Sequence, residues 1–137
     1  MGIGIIAIEV RHKDDIESAF AKMVHLGAHG AVAVPSTMLV DSRALVSAAA
    51  ARYGIPALYT DRSFVEAGGL LAYGPDFRAA FRQAATYVAK ILHGATPGEL
   101  PIEQPTRFEL VINARTARTL GLTIPPSILA RADEVIE

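Results

Sequence analysis

Short runs of β-branched and small apolar residues alternate along this chain with stretches whose apolar residues recur at helical spacing. Glycine or proline punctuates most of the junctions. Such an alternation constrains the fold strongly: a strand buried on both faces reads as a continuous apolar run, and a crossover helix reads as a stripe. Residues 3–10 (IGIIAIEV) predict a first buried strand. Asp14 and Asp15 then stand in the first turn of a helix, where negative charge suits the dipole. Ile16, Phe20, Met23 and Val24 form its stripe and Gly27 ends it. Residues 31–34 (AVAV) predict the next strand, stopped by Pro35. Ser42 is expected to cap a helix carrying Leu45, Val46, Ala49 and Tyr53, closed by Gly54. Residues 57–60 (ALYT) predict a third strand. A β-α-β-α-β order of this kind calls for a parallel sheet with right-handed crossovers.

The pattern then changes. Residues 69–73 (GLLAY) predict a strand followed by Gly74-Pro75. Asp76 caps the longest helix, 77–93, whose stripe is Phe77, Phe81, Ala84, Val88 and Ile91; Gly94 closes it and Pro97 prevents its continuation. Residues 95–107 hold Pro97, Pro101 and Pro105 and read as an extended crossing segment. Residues 108–112 (FELVI) predict a strand, Asn113 caps a short helix stopped by Gly121, and Pro125-Pro126 opens a last helix, 126–136. The first strand lacks the β-α unit that usually precedes it, and the long helix is set apart by Gly-Pro and the proline-rich segment. Both features point to part of a larger fold.

With 137 residues the chain can bury one core. Hydrophobic residues make up 51%, but much of the excess is alanine, which exposed helix faces tolerate. A net charge of −1 without a basic block argues against nucleic acid as a partner. No run approaches the length of a membrane span. The apolar start Met1-Gly2-Ile3-Gly4-Ile5-Ile6 lacks a basic n-region and a cleavage site, so the sequence as written is expected to stay in the cytoplasm. Cysteine is absent. No phosphate loop, dinucleotide-binding glycine motif, GxSxG elbow or HExxH pair is found, which leaves an enzyme reading without a nucleophile or cofactor motif. His25 and His29 stand four apart but Gly27 separates them, and His93 suits the C-terminal end of the long helix. No cofactor, metal or catalytic residue is expected.

In open α/β sheets ligands bind outside the carboxyl ends of the strands. Ser36 and Thr37 follow the strand at 31–34; Asp61, Arg62 and Phe64 follow that at 57–60; Tyr73 and Asp76 end that at 69–73. Such a set suits a zwitterion: Asp61 or Asp76 takes an ammonium, Arg62 or a Ser/Thr hydroxyl takes a carboxylate, and Tyr59, Phe64 or Tyr73 stacks. Residue by residue, the competing reading makes Ser36 and Asp76 caps and Arg62 a surface charge.

Residues 64–137 resemble the C-terminus of ABC-transporter substrate-binding proteins of the group related to tryptophan- and tyrosine-binding lipoproteins. The resemblance rests on the GGL-x-x-YGP-D junction, the KIL-x-G-x-x-P-x-x-LP-x-EQPT-x-FELVIN segment and GLTIPPS-x-LARADEVIE. Upstream, DDIESAFAKM (14–23) and RYGIPALYTDRSF (52–64) also fit. It implies an α/β, Rossmann-like lobe of a type I-like periplasmic binding protein, incomplete, with a long crossover helix. Residues 1–75 would form a partial second-lobe β-α-β-α-β-β unit. Residues 76–107 would be the helix and crossing segment that packs on the first lobe, and 108–137 the return strand and C-terminal helices. Crossovers would fall near Tyr73–Asp76 and Gln104–Phe108. The implied function is binding of a small, amino acid-like solute for an ABC permease, in the periplasm for a full-length parent and without enzymatic activity. Two alternatives stay open: a structural remnant that dimerises through the 77–91 helix face and binds nothing, and a small α/β enzyme.

Overall fold

Three strands run parallel through the first half of the chain: β1 (Ala31–Val32), β2 (Ala57–Tyr59) and β3 (Leu71–Pro75). The computed structural model describes residues 2–104 and 107–137. β4 (Phe108–Asn113) lies antiparallel to β3, and β5 (Glu134–Ile136) parallel to β4, so the sheet order follows the chain order. The helices are α1 (Ile16–His25), α2 (Thr37–Asp41), α3 (Arg43–Arg52), α4 (Arg62–Glu66), α5 (Phe77–Leu92), α6 (Ala114–Thr119) and α7 (Pro126–Leu129).

The core lies on one face of the sheet. Ile16 and Phe20 from α1, Val46, Ala49 and Ala50 from α3, and Phe64 and Val65 from α4 pack onto Ala57, Tyr59, Ala72 and Val111. The strand residues alternate as the pleat requires, so the same three helices cover every second position. Two glycines are dictated by close approach. A Cβ on Gly69 would lie 2.6 Å from the Tyr59 ring and 2.8 Å from the Phe64 carbonyl oxygen, and one on Gly74 would run into the Thr60 carbonyl oxygen. The GGL and YGP motifs therefore let β3 lie against the Tyr59–Phe64 pair and the end of β2.

Three expectations are corrected. Residues 3–10 form no strand, and Ile3 and Ile5 are about nine-tenths exposed. A strand exists through its ladder, and among the described residues β1 pairs with β2 alone. The last helix ends at Leu129, and residues 134–136 extend the sheet. Asp133 N–H donates to the Leu110 carbonyl at 2.9 Å and Leu110 N–H to the Asp133 carboxylate at 2.8 Å, so the free edge of β4 outweighs the helix propensity of LARADE. Ser42 makes no side-chain cap; Ser36 caps α2 instead, accepting from Leu39 N–H. Residues 62–66, to which the sequence pattern assigns no element, form α4, with Asp61 accepting from Ser63 N–H at 2.7 Å. The crossing segment is extended apart from a 3₁₀ turn at Pro97–Glu99; Pro105 lies outside the described residues.

Helix α5 has the capped start and the stripe expected of it, yet no residue in it is buried. Its polar side carries Tyr87, whose hydroxyl donates to the Pro101 carbonyl at 2.9 Å, and Gln83, which bonds Glu103. Phe81 and Val88, on the apolar stripe, are 75% and 56% exposed.

Candidate functional site

Because β1, β2 and β3 are parallel, the residues that follow them come to one edge of the sheet. Ser36, Thr37, Asp61 and Asp76 all stand there, at the starts of α2, α4 and α5. Three helix N-termini thus open on this edge, each with its first amides partly satisfied by its own side chain. Tyr73 lies at the same end on the sheet face away from the core, 55% exposed, and stacks on Phe108 with ring centroids 5.8 Å apart. Phe108 was not singled out from the sequence. The reversal between β3 and β4 brings the start of FELVIN, rather than its end, to this edge.

Three candidates are placed elsewhere by their chemistry. Phe64 and Tyr59 are 2% and 0% exposed and stack on each other at 4.6 Å and 7° between planes, so both rings belong to the core. Burial also pushes the Tyr59 phenol up to about 12, against a small opposing effect of Ser47. Arg62 is committed to three carboxylates: Nε to Glu66 at 2.8 Å, Nη1 to Glu109 at 3.1 Å and Nη2 to Glu134 at 2.6 Å. Its guanidinium is held still further toward the charged form by the Glu66 and Glu134 bonds. It ties α4 to β4 and β5 instead of waiting for an anion. Arg62→Met should therefore lower stability by about 1–2 kcal/mol, a range reduced for solvent screening. Arg62→Lys should restore only part of it. Urea denaturation of the three proteins checks both.

Asp76 accepts from Ala79 N–H at 2.9 Å and faces Arg107 at 3.7 Å and Arg82 at 4.0 Å. The Ala79 amide, followed by the two guanidinium groups, holds its carboxyl below the usual range. A depressed carboxylate contributes stability that is present above its unfolded-state pKa and lost as pH falls through its folded-state value. The protection factor of the Ala79 amide, its exchange rate relative to the intrinsic rate at each pH, is expected to fall as the pH drops through that window. Asp76→Asn should keep the cap and abolish most of the pH dependence.

Among the described residues, two hollows lie away from this edge. One sits in the core between Ser47, Tyr59, Gly69 and Thr116, the other over α1 between Ile8, Asp15 and Lys22. The candidate edge is an open shelf with hydroxyls, two carboxylates and an exposed aromatic pair. Among the described residues no cluster of acidic or histidine side chains could hold a metal ion, and no helix is long and apolar enough to cross a membrane.

A family model described as "ABC transporter substrate binding protein" matches residues 1–136. A tyrosine-binding protein of Clostridioides difficile is 26% identical over 85 residues, covering 62% of this chain and 25% of its own length. A conserved domain protein of Vibrio cholerae is 31% identical, with a TM-score of 0.81 over 90% of this chain and 42% of that one. The ABC domain of Streptococcus pneumonia solved in complex with L-Trp is 24% identical, with a TM-score of 0.82 over 93% of this chain and 44% of that one. The chain thus spans less than half the length of these relatives.

Proposed function

We propose, from the premise that this chain belongs to the ABC transporter substrate-binding protein family, that it is one lobe of a cleft for an amino acid-like solute. One observation carries the reading. Ser36, Thr37, Asp61 and Asp76 follow three parallel strands to a single edge, where the exposed Tyr73 ring stacks on Phe108. The carboxylates suit an ammonium, the hydroxyls a carboxylate, and the aromatic pair an apolar or aromatic side chain. The ligands of two relatives, the tyrosine of the tyrosine-binding protein and the L-Trp bound to the Streptococcus domain, are of this chemical class. Arg62 and Phe64 take structural roles in this account.

In a full-length parent, residues 1–75 and 108–137 form most of the second lobe, and residues 76–107 cross to the other. The parent hands its solute to an ABC permease outside the cytoplasm, and no catalytic step is assigned to the chain. The exposed apolar face of α5 is a second proposed contact, through which two copies pair into a homodimer.

A thermal-shift panel of amino acids and small organic anions tests the ligand reading. A binder at about 100 times its Kd stabilises by roughly 2.7 kcal/mol, and Tyr73→Ala should abolish the shift. The absence of any shift across the panel would leave the chain as a structural remnant that does not bind.

A further inference from the structure

Helix α5 and the segment that follows it are held together by their own contacts. The Tyr87 hydroxyl donates to the Pro101 carbonyl at 2.9 Å, Gln83 bonds Glu103, and the Lys90 ammonium lies 5.5 Å from the centre of the Tyr87 ring. The two therefore form one arm. It meets the sheet at a narrow joint, because the chain leaves after Pro75 and rejoins at Phe108, directly opposite. Asp76 N–H donates to the Arg107 carbonyl at 3.0 Å across that joint, and the Asp76 carboxylate faces Arg107 and Arg82.

Beside the joint stands one further contact between arm and sheet layer. Arg78, in the first turn of α5, donates from Nη2 to Glu66 Oε1 at 3.2 Å. The same oxygen accepts from Arg62 Nε at 2.8 Å, and Arg62 is itself bonded to Glu109 and Glu134. Among the described residues no other ion pair links α5 to α4, β4 or β5. An exposed pair is worth little when two long side chains must be immobilised to make it. Here one partner is already in place. Arg62, whose side chain is 18% exposed, holds the Glu66 carboxylate, so Arg78 alone is ordered when the contact forms.

We infer that Arg78–Glu66 is an electrostatic latch that fixes the angle between the α5 arm and the sheet. A few residues at the joint absorb any rotation, as in a hinge. The lever is long: the sixteen residues of α5 span about 24 Å, so a turn of about 10° moves the far end by about 4 Å. The latch also acts on the candidate edge. Glu66 ends the helix that Asp61 caps, and Arg78 stands two residues beyond Asp76, so the contact fixes those two carboxylates relative to each other. Glu66 and Arg78 are positioning residues there, a consequence that rests on the solute reading above.

The sequence contains no cysteine, so nitroxide labels can be placed on A21C in α1 and A89C in α5, both exposed positions. Double electron–electron resonance reads the distance within one chain when the labelled protein is diluted tenfold with unlabelled chain. A single narrow population is expected at about 0.01 M salt, and at least a twofold broadening at about 1 M, where the Debye length falls to about 3 Å. R78Q and E66Q should each be broad already at low salt and respond no further. Arg78 is 64% exposed, so R78Q should keep the circular dichroism of the parent. R115Q, at the opposite end of β4, should behave as the parent. A broad parent population at low salt, a parent width unmoved by salt, or an R78Q width equal to the parent's would overturn the latch. Broadening in E66Q alone would overturn it too, and would trace the effect to Arg62. None of these measurements uses a solute, so the latch fails or stands independently of the ligand site.

Discussion

Phe64→Ala is expected to lower the unfolding free energy by about 3–5 kcal/mol, the range for removing a fully buried aromatic ring. For a domain of this size that corresponds to a fall in Tm of roughly 10–20 °C. The reason is local. The ring is 2% exposed, stacked flat on the equally buried Tyr59, and belongs to α4, a helix of five residues too short to hold itself. The backbone around it is tied as well: the Phe64 carbonyl accepts from Ser47 Oγ at 3.1 Å and from Gly69 N–H at 2.7 Å. Removing the ring frees α4, and with it the Asp61 cap and the Arg62 bridge to β4 and β5. Urea denaturation followed by circular dichroism measures the loss. A change below about 1 kcal/mol would mean that the pocket closes over the gap, since the cost depends on how well the site collapses.

Gly74→Ala is expected to cost about 3 kcal/mol, at the upper end for overpacking. The backbone conformation of Gly74 is one any residue adopts, so the penalty is purely steric. A Cβ there meets the Thr60 backbone, which cannot swing aside as a side chain can. Gly98→Ala supplies the control, because a Cβ at Gly98 meets nothing within 4 Å and the change should stay within about 0.5 kcal/mol. Denaturation midpoints of the two variants decide it. Equal effects would remove the close approach of β2 and β3 as the reason for the YGP motif.

Much of this fold is legible where periodicity and punctuation agree. α1, α3 and α5 carry stripes bounded by residues that cannot continue a helix, and Gly27, Gly54 and Gly94 adopt positive φ where the pattern ends. The misses share one cause, which is dependence on a partner. Residues 3–10 have the composition of a buried strand but no ladder beside them. Residues 134–136 have the flanks of a helix but find the open edge of β4. Composition records what a segment prefers, and pairing decides what it becomes.

The candidate edge is legible for a topological reason. Parallel strands bring Ser36, Asp61 and Asp76 together whatever their side chains do. The roles of Arg62 and Phe64 were not readable, because three of the partners that hold them (Tyr59, Glu109 and Glu134) come from strands whose register no local pattern reveals. Phe108 escaped for the opposite reason: only the antiparallel return of β4 sets its ring beside Tyr73.

The proposed site for a small amino acid-like solute is the edge formed by the ends of β1, β2 and β3. Titrating the ¹⁵N-labelled chain with L-tryptophan and following its amide resonances tests this most directly. Saturable shifts are expected to concentrate at Ser36, Thr37, Asp61 and 73–76, with residues around α1 unmoved. Saturable shifts confined to another surface, or none up to millimolar ligand with tryptophan and tyrosine alike, would contradict it.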